Sequence, residues 1–273
     1  MEGFSKAIIT FIAVALCVFA FMLTIMTMPA HSTTIVGIHT PNLVVIAGDS
    51  VGTFRGTGCQ ENTRLVCKVF CIQGAGFAIS GLNKDPARGF DAEAIVAKVL
   101  WGRDSIQGAM ITIKELLSKA LIIELEQIKI EEPALYERSL QRTGGIISVL
   151  IAAFEGDQPV ASAIRFKGQE DLSGRIVLTT NQLNCPGNCQ GGVYVFYLGE
   201  YRAIQRYIVE HGKDFSMSPE KAAPFLVGIE ISAGTTGVGP PIDVLKITAE
   251  GSFWIKRKLN CADSTVNRGE QVK

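Results

Sequence analysis

Hydrophobic and polar positions along this chain follow two periods, and each change of period marks an element boundary. Thr33–Ile38 and Leu43–Val51 are rich in β-branched residues and read as two strands separated by the turn His39-Thr40-Pro41-Asn42. Leu65–Ile72 and Gly76–Ser80 form a second pair, broken at Gln73-Gly74-Ala75. The period then lengthens. Asp91–Trp101 reads as a helix ending near Gly102, and a longer one from about Ser105 carries Ile106, Met110, Ile113, Leu117 and Leu121 on one stripe. That stripe is expected to be core or subunit interface, and the charged cluster Glu124–Glu132 the solvated end of the same helix. Strands return at Gly145–Phe154, Pro159–Phe166 and Arg175–Thr180, the first two joined by the hairpin turn Glu155-Gly156-Asp157-Gln158. Helices are expected at Glu200–Glu210 and Ser218–Ala233, the second opened by a capping Ser218 with Pro219 at the first helical position. Strands Ile242–Ala249 and Ser252–Lys256 close the order around Glu250-Gly251. With no linker and no repeat, this order predicts a single α+β domain in which helices cover packed antiparallel sheets.

The segment before Thr33 has a different character. After Lys6, Ala7–Met28 carries no charge, Pro29 ends the run, and small residues stand at Ala30 and Ser32. A cut after Ser32 fits a secretory signal, while the length of the apolar run also suits an uncleaved membrane anchor through residues 7–28. Either reading puts residues 33–273 outside the cytoplasm. Cysteine usage agrees: beyond Cys17 there are six, Cys59, Cys67, Cys71, Cys185, Cys189 and Cys261, enough for three bridges. Cys185 and Cys189 flank a Pro-Gly-Asn turn and are the favoured local disulfide. A zinc site joining them to Cys67 and Cys71 is the disfavoured alternative, because the spacing is loose for a zinc ribbon, and no metal or cofactor is expected. Twenty-six basic and twenty-six acidic residues leave no net charge, which argues against a nucleic-acid partner.

A cut after Ser32 makes Thr33 the first residue. An N-terminal threonine combines a nucleophile with a base, because its hydroxyl can attack a carbonyl while its own α-amine takes the proton. Such a site needs a nearby cation to keep the amine neutral, an acid to hold that cation, and N–H donors for the oxyanion.

Thr33-Thr34-Ile35-Val36-Gly37, followed by Val44-Val45-Ile46-Ala47-Gly48-Asp49-Ser50, resembles the start of proteasome β subunits and their bacterial ring-peptidase relatives. Cys67-Lys68-Val69-Phe70 is similar to the strand bearing that family's lysine, and Gly76-Phe77-Ala78-Ile79-Ser80-Gly81 to the next strand. The resemblance continues through Ser218–Ala233 and Ile242–Thr248. It implies a four-layer αββα sandwich of two antiparallel sheets, the N-terminal-nucleophile hydrolase fold. It further implies Thr33 as nucleophile, Asp49 orienting Lys68, Lys68 tuning the threonine amine, Gly81 in the oxyanion hole and Ile79 facing a specificity pocket. Two positions depart from the family. Tyr197-Leu198-Gly199-Glu200 stands where a supporting Ser is usual, and Thr235-Thr236-Gly237-Val238-Gly239 where an Asp and a Ser assist the amine. The loop Thr53–Thr63 is also longer than usual. The implied function is an exported threonine peptidase acting on peptides or unfolded protein, assembled as a homo-oligomeric ring without an ATP-driven motor. An inactive membrane-anchored ring or scaffold subunit and a small-amide acylase of the same fold are the alternatives.

Overall fold

The computed structural model describes residues 33–55, 61–142, 144–189, 192–212, 217–259 and 261. The apolar run at 7–28, the cut after Ser32, Cys17 and Cys59 lie outside the described residues. Two five-stranded antiparallel sheets organise the chain. The first has the order β12-β1-β2-β13-β14, built from Tyr194–Gly199, Thr34–His39, Val44–Gly48, Asp243–Thr248 and Gly251–Lys256. The second has the order β11-β10-β9-β6-β5, from Ile176–Cys185, Gln158–Glu170, Ile147–Glu155, Ala75–Gly81 and Val69–Ile72. Short hairpins pair β3 (Val51–Arg55) with β4 (Glu61–Leu65) and β7 (Lys84–Asp85) with β8 (Phe90–Asp91).

Five helices are described: α1 (Ala92–Trp101), α2 (Ile106–Glu131), α3 (Pro133–Leu140), α4 (Arg202–His211) and α5 (Pro219–Ser232). Three apolar clusters show how they pack. Ile106, Met110, Ile113, Leu117 and Leu121 of α2 are fully buried against Ile147, Val149 and Ile151 of β9, so the helical stripe is core. Truncating one such side chain to Ala costs about 2–5 kcal/mol. Ile35, Ile46, Leu150, Ala152 and Leu245 fill a second cluster between the sheets. Val36, Val45 and Ala47 on the other face of the first sheet meet Ala223, Leu226 and Val227 of α5. The period-2 alternation of the strands thus sorts side chains between a helix-facing and a sheet-facing layer.

Several expectations need correction. Leu43–Val51 and Leu65–Ile72 each break in two, because Asp49-Ser50 and Val66-Cys67-Lys68 leave the strand ladder for the contacts described below. Within the stretch expected as a long loop, Thr53, Phe54 and Arg55 pair with Thr63, Asn62 and Glu61 in the β3–β4 hairpin. Strand β12 and helix α3 were not expected, and β11 runs to Cys185 rather than Thr180 because β10 offers it ten consecutive register partners. Glu124 is not solvated: it is 2% exposed, and Arg88 reaches in from another loop to Asp85, Glu124, Glu131 and Glu132. Ser218 caps α5, yet its hydroxyl makes no cap bond.

Candidate active site

The end of β2 delivers Asp49 to the end of β1. Asp49 is completely buried, and its carboxylate collects four donors. Oδ1 accepts from the Thr34 N–H at 2.8 Å and from Lys68 Nζ at 2.8 Å. Oδ2 accepts from Lys68 Nζ at 2.9 Å and from the Val51 and Gly239 N–H groups at 3.2 Å each. A buried carboxylate is tolerated only with such partners. The interruption of β2 at Asp49 follows, since its side chain occupies backbone donors that a continuing strand would have used elsewhere.

Lys68 sits between β4 and β5 and is 4% exposed. Burial pushes its ammonium below the ordinary lysine value, the Asp49 carboxylate opposes that shift, and the nearby cation of Lys258 adds to it. Lys258 forms a second buried pair. Its Nζ meets Asp243 Oδ2 at 2.9 Å and also donates to the Val66 carbonyl, while its own N–H donates to Asp243 Oδ1 at 2.9 Å. Asp243 is in register with Gly48, one residue before Asp49. A Cys67–Cys261 disulfide, with Cα atoms 5.7 Å apart, straps the segment carrying Lys258 to the residue preceding Lys68. Sequence reasoning missed this pair; its one available signal was a cysteine three residues beyond a lysine.

Thr33 precedes β1 and is 9% exposed. Its carbonyl accepts the Glu200 N–H at 2.8 Å, and the Thr34 hydroxyl donates to the Glu200 carbonyl at 2.9 Å. Gly199 explains the departure at this position: at φ +78° it passes so close that a Cβ would collide with the Thr33 carbonyl oxygen. Glu200 therefore engages the threonines through its backbone. The second departure also reaches the site through backbone, Gly239 donating to Asp49 and accepting from Ser50 N–H at 2.9 Å. The Thr235 hydroxyl is committed instead to Glu230 at 2.7 Å.

Gly81 ends β6 at φ +94°, where a Cβ would strike the Ile146 carbonyl. Ile79, on the same strand, is 2% exposed and packs in the helix-side cluster. Thr33, Asp49 and Lys68 thus share one neighbourhood. Cys185 and Cys189 form a local disulfide with Cα atoms 5.1 Å apart. With Cys67 bonded to Cys261, the zinc alternative through Cys67, Cys71, Cys185 and Cys189 is excluded. Among the described residues no helix is long and apolar enough to cross a membrane. No protein-family model matches the chain, and comparison with curated proteins finds no match.

Proposed function

We propose that the chain is an exported N-terminal-threonine peptidase with the four-layer αββα arrangement of N-terminal-nucleophile hydrolases, residues 33–273 forming the hydrolase domain. One observation carries this reading: a buried Asp49–Lys68 pair whose carboxylate also holds the Thr34 N–H, one residue from Thr33. In the proposed reaction the Thr33 hydroxyl attacks the scissile carbonyl and its proton passes to the Thr33 α-amine. That proton then leaves with the departing amine as the acyl-enzyme forms, and water releases the acyl group. Lys68 keeps the α-amine neutral by its adjacent charge, Asp49 fixes Lys68, and Gly81 N–H faces the oxyanion. Ile79 remains proposed as a wall of the substrate pocket, and assembly as a homo-oligomeric ring is proposed with it.

The commitment of Thr235 to Glu230 favours a second reading, an inactive ring subunit whose N-terminus is never freed. The mature protein's mass and N-terminal sequence, read with a fluorogenic peptide panel, separate the two. The active reading expects a chain starting at Thr33 that cleaves peptides and loses hydrolysis on Thr33→Ala with folding intact. Material starting at Met1 that still digests peptides defeats it. Preference for acylated amino acids over peptides moves the reading to the acylase.

A further inference from the structure

Strand alternation exposes an anomaly in the space between the two sheets. Two inward-facing rows of the second sheet are apolar, Ala152–Ala161–Cys185 and Leu150–Ala163–Leu183, and both belong to the inter-sheet core. The next inward row is polar throughout: Ser80, Ser148, Arg165 and Asn181 are cross-strand neighbours in sequence across β6, β9, β10 and β11. An arginine aimed between sheets normally meets a carboxylate. Arg165 meets none. Its Nη2 donates to the Tyr197 carbonyl at 3.3 Å, its guanidinium lies 5.7 Å from the Tyr201 ring centroid, and its Nε is buried with no hydrogen-bond partner.

This row opens into a cavity of about 260 Å³ between β10, β11, β12 and the start of α4. Ser148, Arg165, Asn181, Tyr194, Tyr201 and Gln205 supply its polar lining with the Tyr197 carbonyl, and among the described residues no aspartate or glutamate lines it. The volume lies just below the roughly 300–1,000 Å³ of typical small-molecule pockets.

We propose that this cavity is a binding site for a small organic carboxylate, with Arg165 as its anchor. One cation that no carboxylate among the described residues offsets, set among neutral polar neighbours, makes a site that selects a single negative charge. The planar guanidinium suits a carboxylate's two oxygens, and the tyrosines and Leu183 accept an apolar body of the size of one aromatic ring. The inference is independent of the hydrolase reading, because the site requires neither a freed Thr33 nor turnover.

The test uses the purified protein titrated with benzoate, with neutral benzamide and with inorganic phosphate, followed by calorimetry. Benzoate is expected to bind at least about tenfold more tightly than benzamide or phosphate, a ratio in line with one charge-assisted pair. Arg165→Gln is expected to remove that preference and Arg165→Lys to retain part of it. Should Arg165→Gln fail to fold, the Arg165 Nε–H resonance of the wild-type protein supplies the readout, shifting on addition of benzoate and not of benzamide. Equal binding of benzoate and benzamide, no binding of benzoate, preference for phosphate, or an unmoved Nε–H signal each overturns the proposal.

Discussion

The described residues contain two buried lysine–aspartate pairs whose carboxylates stand on neighbouring strands, and they differ in what each lysine ties together. Lys258 ties two segments together: its Nζ meets Asp243 and donates to the Val66 carbonyl, and its own N–H closes on the Asp243 carboxylate. Lys68 meets only Asp49 among the described residues. An ammonium has three donors, and each lysine uses two of them, Lys68 on the two oxygens of one carboxylate and Lys258 on two different segments. The carboxylates differ in the opposite sense. Asp49 gathers three backbone N–H groups from three segments, which fixes the carboxylate that holds Lys68. Identical residue types thus make a brace in one place and a poised cation in the other.

Substituting each lysine tests that contrast. Lys68→Met is expected to lower peptide hydrolysis by about 10²–10⁴-fold, the usual range for losing proton-transfer assistance. Lys258→Met is expected to leave turnover within about tenfold of wild type, with a cost of about 3–5 kcal/mol in urea unfolding for the stranded Asp243. If the two variants lose activity equally, the division between brace and poised cation fails.

The two disulfides allow a second comparison. Cys67–Cys261 closes a separation of 194 residues and Cys185–Cys189 one of 4. Chain-entropy reasoning gives about 5 kcal/mol for the long loop and about 2 kcal/mol for the short one. Denaturant midpoints of the paired Cys→Ser variants should fall in that order, and the reverse order would remove the strap from the account of the site.

A smaller effect concerns Glu124. Burial and the nearby Asp85 carboxylate push its carboxyl from 4.5 to about 7 despite Arg88. Between those values the folded chain holds a proton that the unfolded chain has lost. Stability from this group is therefore present at low pH and declines as pH rises through about 7. Glu124→Gln should flatten the decline, by at most about 3 kcal/mol between pH 5 and pH 8. Melting temperatures at the two pH values check it; a variant with the wild-type pH dependence would place the titration elsewhere.

Elements with a clear period were legible in the sequence, including β1, β2, β6, β9, both ends of α1 and the start of α2. Tyr194–Gly199 escaped because Val-Tyr-Val-Phe-Tyr-Leu is apolar at every position; that strand pairs with β1 on one edge and packs on both faces. The polar stretch Glu61–Leu65 gave no strand signal, since a two-stranded hairpin needs no buried face. Asp49 could be picked out by its spacing from Thr33, and Lys68 by a strand similar to the one that bears the lysine in proteasome β subunits. Glu200 and Gly239 act through backbone atoms that every residue possesses, so no side-chain motif marks them. Arg165 sat in view on a predicted strand, but its missing counter-charge is a property of the opposite sheet.

The long strap has a consequence for how the protein is made. A nascent chain cannot join Cys67 to Cys261 until position 261 has been synthesised, so the segment bearing Lys68 waits at least 194 residues to be locked. Covalent completion of this corner then depends on the redox machinery of the compartment that receives the chain. Recombinant material prepared in a reducing cytosol should fold around an unclosed corner, and production through an oxidising secretory route is the appropriate choice for any assay of Thr33.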